Sequence, residues 1–365
     1  MNFSVIEREF LQNGRIAAER CVWLFDPACD LHVIGRLADA EKRRRYGNRV
    51  FWRRNLHVNP TNVCRLRCPL CAFSRDADAP DAFFLSEDVM VHQVEAAVAG
   101  GATEVHVVGG LHPAQSYEGY LRLIGRIHRE FPTIAIKAWT AQEIFDFAQS
   151  TSRTVESILM ELWEAGLRSL PGGGAEIFAP AVREQISPQK IDAETWLNVH
   201  RAAHRLGMKT SATILFGHLE TSEERADHLL RLRTLQDETG GFTGLVPLAF
   251  HPEGTGLADR VAERPTPAES LRMIAAARLI LDNFPHIRAY WVSLGIPTAQ
   301  LALGYGADDF DGTVGDERIH HEAGATSPRG LGAAQLERLI RETGAEPFEL
   351  TLKVERQHGV AAVLP

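Results

Sequence analysis

Cys64, Cys68 and Cys71 fall within eight residues, in the run Asn59-Pro-Thr-Asn-Val-Cys-Arg-Leu-Arg-Cys-Pro-Leu-Cys-Ala-Phe, while Cys21 and Cys29 lie well upstream. A C-x3-C-x2-C loop brings three thiolates to one face. That is enough to hold three irons of a 4Fe-4S cube and to leave the fourth without a protein ligand, open to bind and reduce something. A tetrahedral zinc site is the competing reading, with His57 as the fourth ligand. It lacks the second C-x2-C or His pair that such sites ordinarily use. Phe73 follows the last cysteine, and an apolar, β-favouring stretch precedes the first, as expected of a loop leaving a strand.

The elements that position this loop alternate. Strands are expected at 57–62, 104–109, 133–139, 167–171, 209–215, 244–250, 287–293 and 307–312, with helices between them. One helix runs from a capping Ser86 to Gly100, and another from Ser222 to Thr239 opens with acids near its positive end. Eight strands alternating with helices predict an α/β fold, a closed (β/α)8 barrel of parallel strands. Residues 1–50 read as a helical N-terminal extension, 51–345 as the barrel and 346–365 as a tail packing on it. The basic run Glu41-Lys-Arg-Arg-Arg-Tyr-Gly reads as a solvated helix end.

In such a barrel the loops after the strands share one rim. Gly109-Gly110-Leu-His-Pro follows the second strand, Pro171-Gly-Gly-Gly-Ala-Glu176 the fourth, Phe216-Gly-His218 the fifth and Phe250-His251-Pro the sixth. Gly109 and Gly110 permit close approach of backbone to a ligand, or simply make a tight turn. Glu176 either reaches inward as an acceptor or caps a helix. His218 and His251 suit proton transfer near neutral pH. His320-His321 would cover the mouth, bind substrate or lie on the surface. Asp308, Asp309 and Asp311 are not taken as a second metal site, and Trp139 and Trp291 are expected in the core or the pocket wall.

Composition restricts the function classes. The 365 residues are 45% hydrophobic and 24% charged, with a formal net charge of −8. That disfavours a general nucleic-acid binder, which needs a basic stripe to displace phosphate counterions. No apolar run of about eighteen residues appears for a membrane span, and the N-terminus has no signal-peptide pattern. Five cysteines, three of them clustered, suit a reducing compartment, so a cytoplasmic location is expected.

The cysteine motif after a first strand resembles that of the radical S-adenosylmethionine (SAM) enzymes. The runs Pro171-Gly-Gly-Gly-Ala-Glu-Ile-Phe, Ala212-Thr-Ile-Leu-Phe-Gly-His-Leu-Glu, Pro247-Leu-Ala-Phe-His-Pro and Ile319-His-His-Glu-Ala-Gly-Ala resemble the futalosine-pathway members of menaquinone biosynthesis, chiefly the aminofutalosine synthase family. The likeness runs from about residue 40 to 345. Gly254 stands where that family's asparagine is expected, and Asn59-Pro-Thr-Asn is shared with sibling families. Leu248 and His251 stand where the cyclic dehypoxanthinyl futalosine synthases have Trp and Gln.

The resemblance implies a 4Fe-4S cluster on Cys64, Cys68 and Cys71, with SAM as co-substrate near Phe73, Gly109, Gly110 and Glu176. It implies 3-(1-carboxyvinyloxy)benzoate as substrate, to which a 5'-deoxyadenosyl radical adds to give 6-amino-6-deoxyfutalosine, methionine and bicarbonate. A reductant such as flavodoxin or ferredoxin is implied as partner. Two substrate carboxylates call for a cation, for which Arg75 and Arg288 are the candidates. Against this stand a sibling radical SAM activity and a non-catalytic cluster or zinc protein.

Overall fold

A computed structural model of the protein describes residues 3–351. Ten short strands follow in chain order: β1 (Arg49–Arg53), β2 (Asn55–Val58), β3 (Glu104–Val107), β4 (Ala135–Ala138), β5 (Leu167–Leu170), β6 (Lys209–Phe216), β7 (Phe242–Ala249), β8 (His286–Ile287), β9 (Asp309–Gly312) and β10 (Glu346–Glu349). Strands β2 to β8 form one parallel seven-stranded sheet in sequence order. Strand β9 closes it. A single parallel bridge, Arg288↔Asp309, ties β9 to the end of β8, and β9 pairs along its other edge with β1, which runs on into β2. The expected (β/α)8 barrel is therefore present, with helices outside and parallel pairing throughout.

The expected boundaries shift where the seam is made. The first strand begins at Arg49 inside the segment read as an extension, and it ends at Val58, because Pro60 lacks an N–H for the ladder. The seventh, read over 287–293 from its β-favouring Ile, Tyr, Trp and Val, keeps only His286–Ile287. The chain then turns into the short helix Trp291–Leu294, whose Trp291 indole donates to the Gly312 carbonyl at 3.0 Å. Side chains supply what this short ladder lacks. The Asp308 carboxylate, fully buried, accepts from Arg278, from His286 Nδ1 at 2.5 Å and from the Ile287 amide at 2.9 Å.

The helix Glu87–Ala99 is capped by the Ser86 hydroxyl and closes at Gly100, as the sequence predicts. The helix Ser222–Thr239 opens in a capping box between Thr221 and Glu224. The N-terminal segment is helical, with Phe3–Asn13, the 3-10 turn Ala18–Phe25 and Leu31–Tyr46 packed on the barrel. Its basic run is a solvated end only in part, with Arg43 and Arg44 exposed. Lys42 is 1% exposed and donates to the Leu303 carbonyl at 3.0 Å, and Arg45 donates to the Asp282 and Phe284 carbonyls. Of the expected tail, 346–349 pairs in parallel with β1, and 352–365 lie outside the described residues.

Along β2, β3 and β4 the usual burial pattern of a barrel interior is inverted. Val58, Val105, Val107 and Ala138 belong to the apolar core. Asn55, His57, Glu104, His106 and Lys137, at the alternate positions, line a central cavity. In most barrels of this class that inward layer is bulky and branched. Here it is polar, so the barrel encloses a site.

Candidate active site

The cavity measures about 310 Å³. Cys64, Cys68 and Cys71 share one wall of it, all three free thiols. Local structure sets their loop. Cys64 N–H donates to the Arg75 carbonyl at 3.1 Å, Arg65 N–H to Leu111 O at 3.1 Å and Cys71 N–H to Cys68 O at 2.9 Å. Cys68 is buried against Leu66 and Leu111. Burial pushes its thiol up to about 11, against the pull of the Lys190 ammonium. A bound metal would hold it as thiolate. Among the described residues no group of three or more His, Cys, Asp or Glu side chains is gathered as for a single metal ion.

Gly109 and Gly110 line the same cavity, and the second packs against the cysteine loop. A Cβ on Gly110 would lie 2.3 Å from the Val63 carbonyl oxygen and 3.0 Å from Cys64 Cβ. Gly110→Ala is therefore expected to push the cysteine loop off its seat and to lower iron content after reconstitution several-fold, while the unfolding midpoint moves far less. Wild-type iron content in that variant would contradict the assigned role.

Glu176 reaches the cavity rather than capping a helix. The next helix, Pro180–Ile186, has Ala179 at its N-cap with no side-chain bond. Half-buried Lys190 Nζ donates to Glu176 Oε1 at 2.5 Å, and despite desolvation the carboxyl is held below its usual range by that ammonium. Glu143 also lines the cavity, accepting from Thr140 N–H at 2.6 Å, with burial raising its carboxyl to about 7. Phe73 is buried on the cavity wall.

The two histidines expected at the rim part company. His251 lines the cavity and donates from Nε2 to the Ser293 carbonyl at 2.9 Å, leaving buried Nδ1 without a hydrogen bond. Burial lowers it to about 4, so it is neutral at pH 7. His218 does not line this cavity. Its Nδ1 lies 2.9 Å from Glu220 Oε2 and 2.7 Å from Leu219 N, and its Nε2 donates to Leu215 O at 3.1 Å, so both nitrogens are used inside its own loop. Glu220 braces that loop through the Gly217 and His218 amides and Arg225. The catalytic role expected of His218 is thus replaced by a structural one.

The arginines divide likewise. Arg75 clamps the cysteine loop, bonding Asp81, Glu322 and the Ala72 carbonyl, and it stays outside the central cavity. The substrate role expected of it gives way to holding that loop. Arg288 lines the cavity, 6% exposed. Its ion pairs to Asp309 and Asp311 are long, 3.4 and 3.5 Å, and its Nε makes no hydrogen bond.

The remaining acids and histidines also find places. Asp308 and Asp309 serve Arg278 and Arg53. Glu317 accepts from His321 Nδ1 at 2.9 Å and from the His320 amide, which sets the short helix Ile319–Glu322 at the cavity mouth with His320 in its lining. Trp139 and Trp291 are core residues. At Gly254, φ is +71°, a conformation that glycine and asparagine both adopt, so the departure at this position preserves the backbone.

Sequence reading missed Lys190, Glu143, Lys137 and His106. Only the polar alternation in the strands signalled the last two. Six histidines, 57, 106, 200, 204, 228 and 251, have pKa values lowered first by desolvation. The folded chain keeps them neutral while the unfolded chain protonates near 6.5, so stability is present above that pH and falls as pH drops below it. The urea midpoint is expected to be clearly lower at pH 5.5 than at 7.5, and equal midpoints would contradict this.

The match to family models follows the two halves of the chain. Residues 58–232 match the radical SAM superfamily, and 239–360 match the CofH/MqnC C-terminal region. The chain belongs to the radical SAM superfamily, whose members bind a 4Fe-4S cluster and use SAM; three free thiols on one cavity wall, with no fourth cysteine beside them, fit that group.

Among relatives, aminodeoxyfutalosine synthase of Thermus thermophilus is 42% identical over 346 residues, 94% of this chain and 93% of that protein. The 5-amino-6-(D-ribitylamino)uracil–L-tyrosine 4-hydroxyphenyl transferase of Methanopyrus kandleri is 37% identical, covering 89% of each chain. Cyclic dehypoxanthine futalosine synthase of Halalkalibacterium halodurans is 36% identical, covering 82% and 80%. In fold the chain is similar to methylornithine synthase, with a TM-score of 0.75 over 94% of this chain and 97% of that one at 17% identity. No helix of the described residues is long and apolar enough to cross a membrane.

Proposed function

We propose that the chain joins the 5'-deoxyadenosyl group of SAM to 3-(1-carboxyvinyloxy)benzoate, forming 6-amino-6-deoxyfutalosine, methionine and bicarbonate in menaquinone biosynthesis. One observation carries this reading: a single cavity has three free thiols on one wall and, elsewhere in its lining, a buried arginine held only by long ion pairs of 3.4 and 3.5 Å. A cofactor wall and an anion receptor in one chamber suit a dicarboxylate substrate. The naming of the 42% identical relative supports it.

When bound, the cluster supplies the electron that splits SAM into methionine and a 5'-deoxyadenosyl radical. Cys64, Cys68 and Cys71 would hold it. Glu176, kept ionised by Lys190, accepts from the ribose or ammonium of SAM, beside Gly109 and Gly110, and Phe73 supplies apolar surface. Arg288 binds a substrate carboxylate. Neutral His251 offers Nδ1 to a proton. Leu66, Leu111, Val246 and Leu248 give the chamber apolar walls that exclude water, and fixing both partners there supplies the proximity that carbon–carbon bond formation needs. A reductant such as flavodoxin or ferredoxin in the cytoplasm, a reducing compartment suited to five unpaired cysteines, completes the proposal.

The test is product mass. Reduced, cluster-loaded protein given SAM and 3-(1-carboxyvinyloxy)benzoate is expected to yield an adduct retaining adenine and the aryl ring. Free 5'-deoxyadenosine as the main product would overturn the reading in favour of a hydrogen-abstracting sibling.

A further inference from the structure

The inward layer formed by β2, β3 and β4 is a row in register: His57 lies opposite His106, and His106 opposite Lys137. All three side chains line the cavity, as does Arg288. The cysteine loop follows the end of β2, and Gly109-Gly110 follows the end of β3, so the row lies below the loops that carry the thiols and the glycine pair.

Two nitrogens in this layer are buried without a hydrogen bond, His106 Nε2 and Arg288 Nε, the second of them 3.4 Å from Asp309 Oδ2. His106 Nδ1 is already engaged with His57 Nε2 at 3.3 Å. Leaving a buried polar atom unpaired costs about 1–3 kcal/mol, and such atoms in one cavity are commonly completed by an occupant. The fixed charges near them largely offset one another, with Glu317 a further carboxylate in the lining, held by His321 Nδ1. Arg53, Lys137 and Arg288 stand with Glu104, Asp309 and Asp311, paired from 2.5 to 3.8 Å. An incoming anion therefore meets no strong net field, and directed N–H donors must hold it. If His57 Nε2 donates to His106 Nδ1, the second imidazole carries its proton on Nε2, a tautomer that an anionic occupant selects.

The geometry points to the floor row as the seat of the substrate's ring carboxylate, bound by His106 Nε2–H and the Arg288 guanidinium with Lys137 beside them. This rests on the proposed substrate. Of its two carboxylates, the one on the ring survives into the product, and it is meta to the enol ether. Seating it on the floor turns the alkene towards the thiol wall, where the adenosyl group is delivered. His106 is thereby a specificity-determining residue that touches substrate, and aromatic acids are the class the floor selects.

Binding to the oxidised, cluster-loaded protein with SAM but no reductant tests this without turnover. The probes are 3-hydroxybenzoate, which carries the ring carboxylate, and phenol, which lacks it. Wild type is expected to prefer 3-hydroxybenzoate at least ~10-fold, since a site built of donors rejects a ligand that leaves them unpaired. In His106→Ala that preference is expected to collapse to about twofold, and His106→Gln, which keeps a side-chain N–H, should restore part of it. No preference in wild type, whether both probes bind or neither does, overturns the inference even if a variant fails to fold. An undiminished preference in a folded His106→Ala overturns it too. The product assay separates the two readings: the adduct with an indifferent His106→Ala sinks the floor site alone, and a different product with the preference intact sinks the substrate assignment alone.

Discussion

Replacing Cys68 with alanine is expected to abolish SAM cleavage altogether while the barrel remains folded. The side chain is 6% exposed and packs only with Leu66, Leu111 and the neighbouring loop, so its loss removes one sulfur from a small satellite cluster. That costs about 1–2 kcal/mol, within what a domain of this size withstands. The metal site has no such margin. With three protein ligands for a four-iron cube, losing one leaves two irons uncovered. Iron analysis and a 5'-deoxyadenosine assay on the reconstituted variant check this. Cys21→Ala is the matched control. Cys21 is equally buried, its thiol is pushed up to about 11, and it packs in the main core away from the cavity, so that variant should keep full iron and full cleavage.

The second large effect is on stability. Asp308→Ala is expected to destabilise the fold by about 3–5 kcal/mol, because it strands a fully buried guanidinium. Arg278 has 0% side-chain exposure and cannot shed its proton, and His286 Nδ1 and the Ile287 amide lose the same acceptor. The position magnifies the loss. Between β8 and β9 the backbone ladder is one bridge, so the carboxylate network carries the seam that closes the barrel. Chemical unfolding measures it. A loss below about 1 kcal/mol, of the size seen for surface pairs, would show that the network does not hold the seam.

The cysteine spacing and the order of strands and helices were legible because each is a local pattern: a ligand loop, a capping serine, an apolar run. The partners of charged residues were not, since they are brought together from far along the chain. Arg75 reads as a cavity cation beside the cluster loop until Glu322, 247 residues on, is seen to claim it. Glu176 gives no hint in sequence that Lys190 will neutralise it. His218 looks like His251, each after a strand; Glu220, two residues downstream, braces the tight turn that folds the first ring back on its own loop. The seventh strand was overextended because Tyr, Trp and Val favour strands, whereas the seam required a turn. The polar interior was legible in principle. Asn55-Leu-His-Val and Glu104-Val-His-Val alternate with period two, and with helices covering the outer face the apolar set must point outwards.

The account depends most on an iron of the cluster left open to SAM. Electron paramagnetic resonance of the reduced, reconstituted protein, recorded with and without SAM and alongside iron analysis, tests this most directly. About four irons per chain and a signal that changes on adding SAM are the predicted result. A signal indifferent to SAM, or a colourless protein holding zinc, would contradict it.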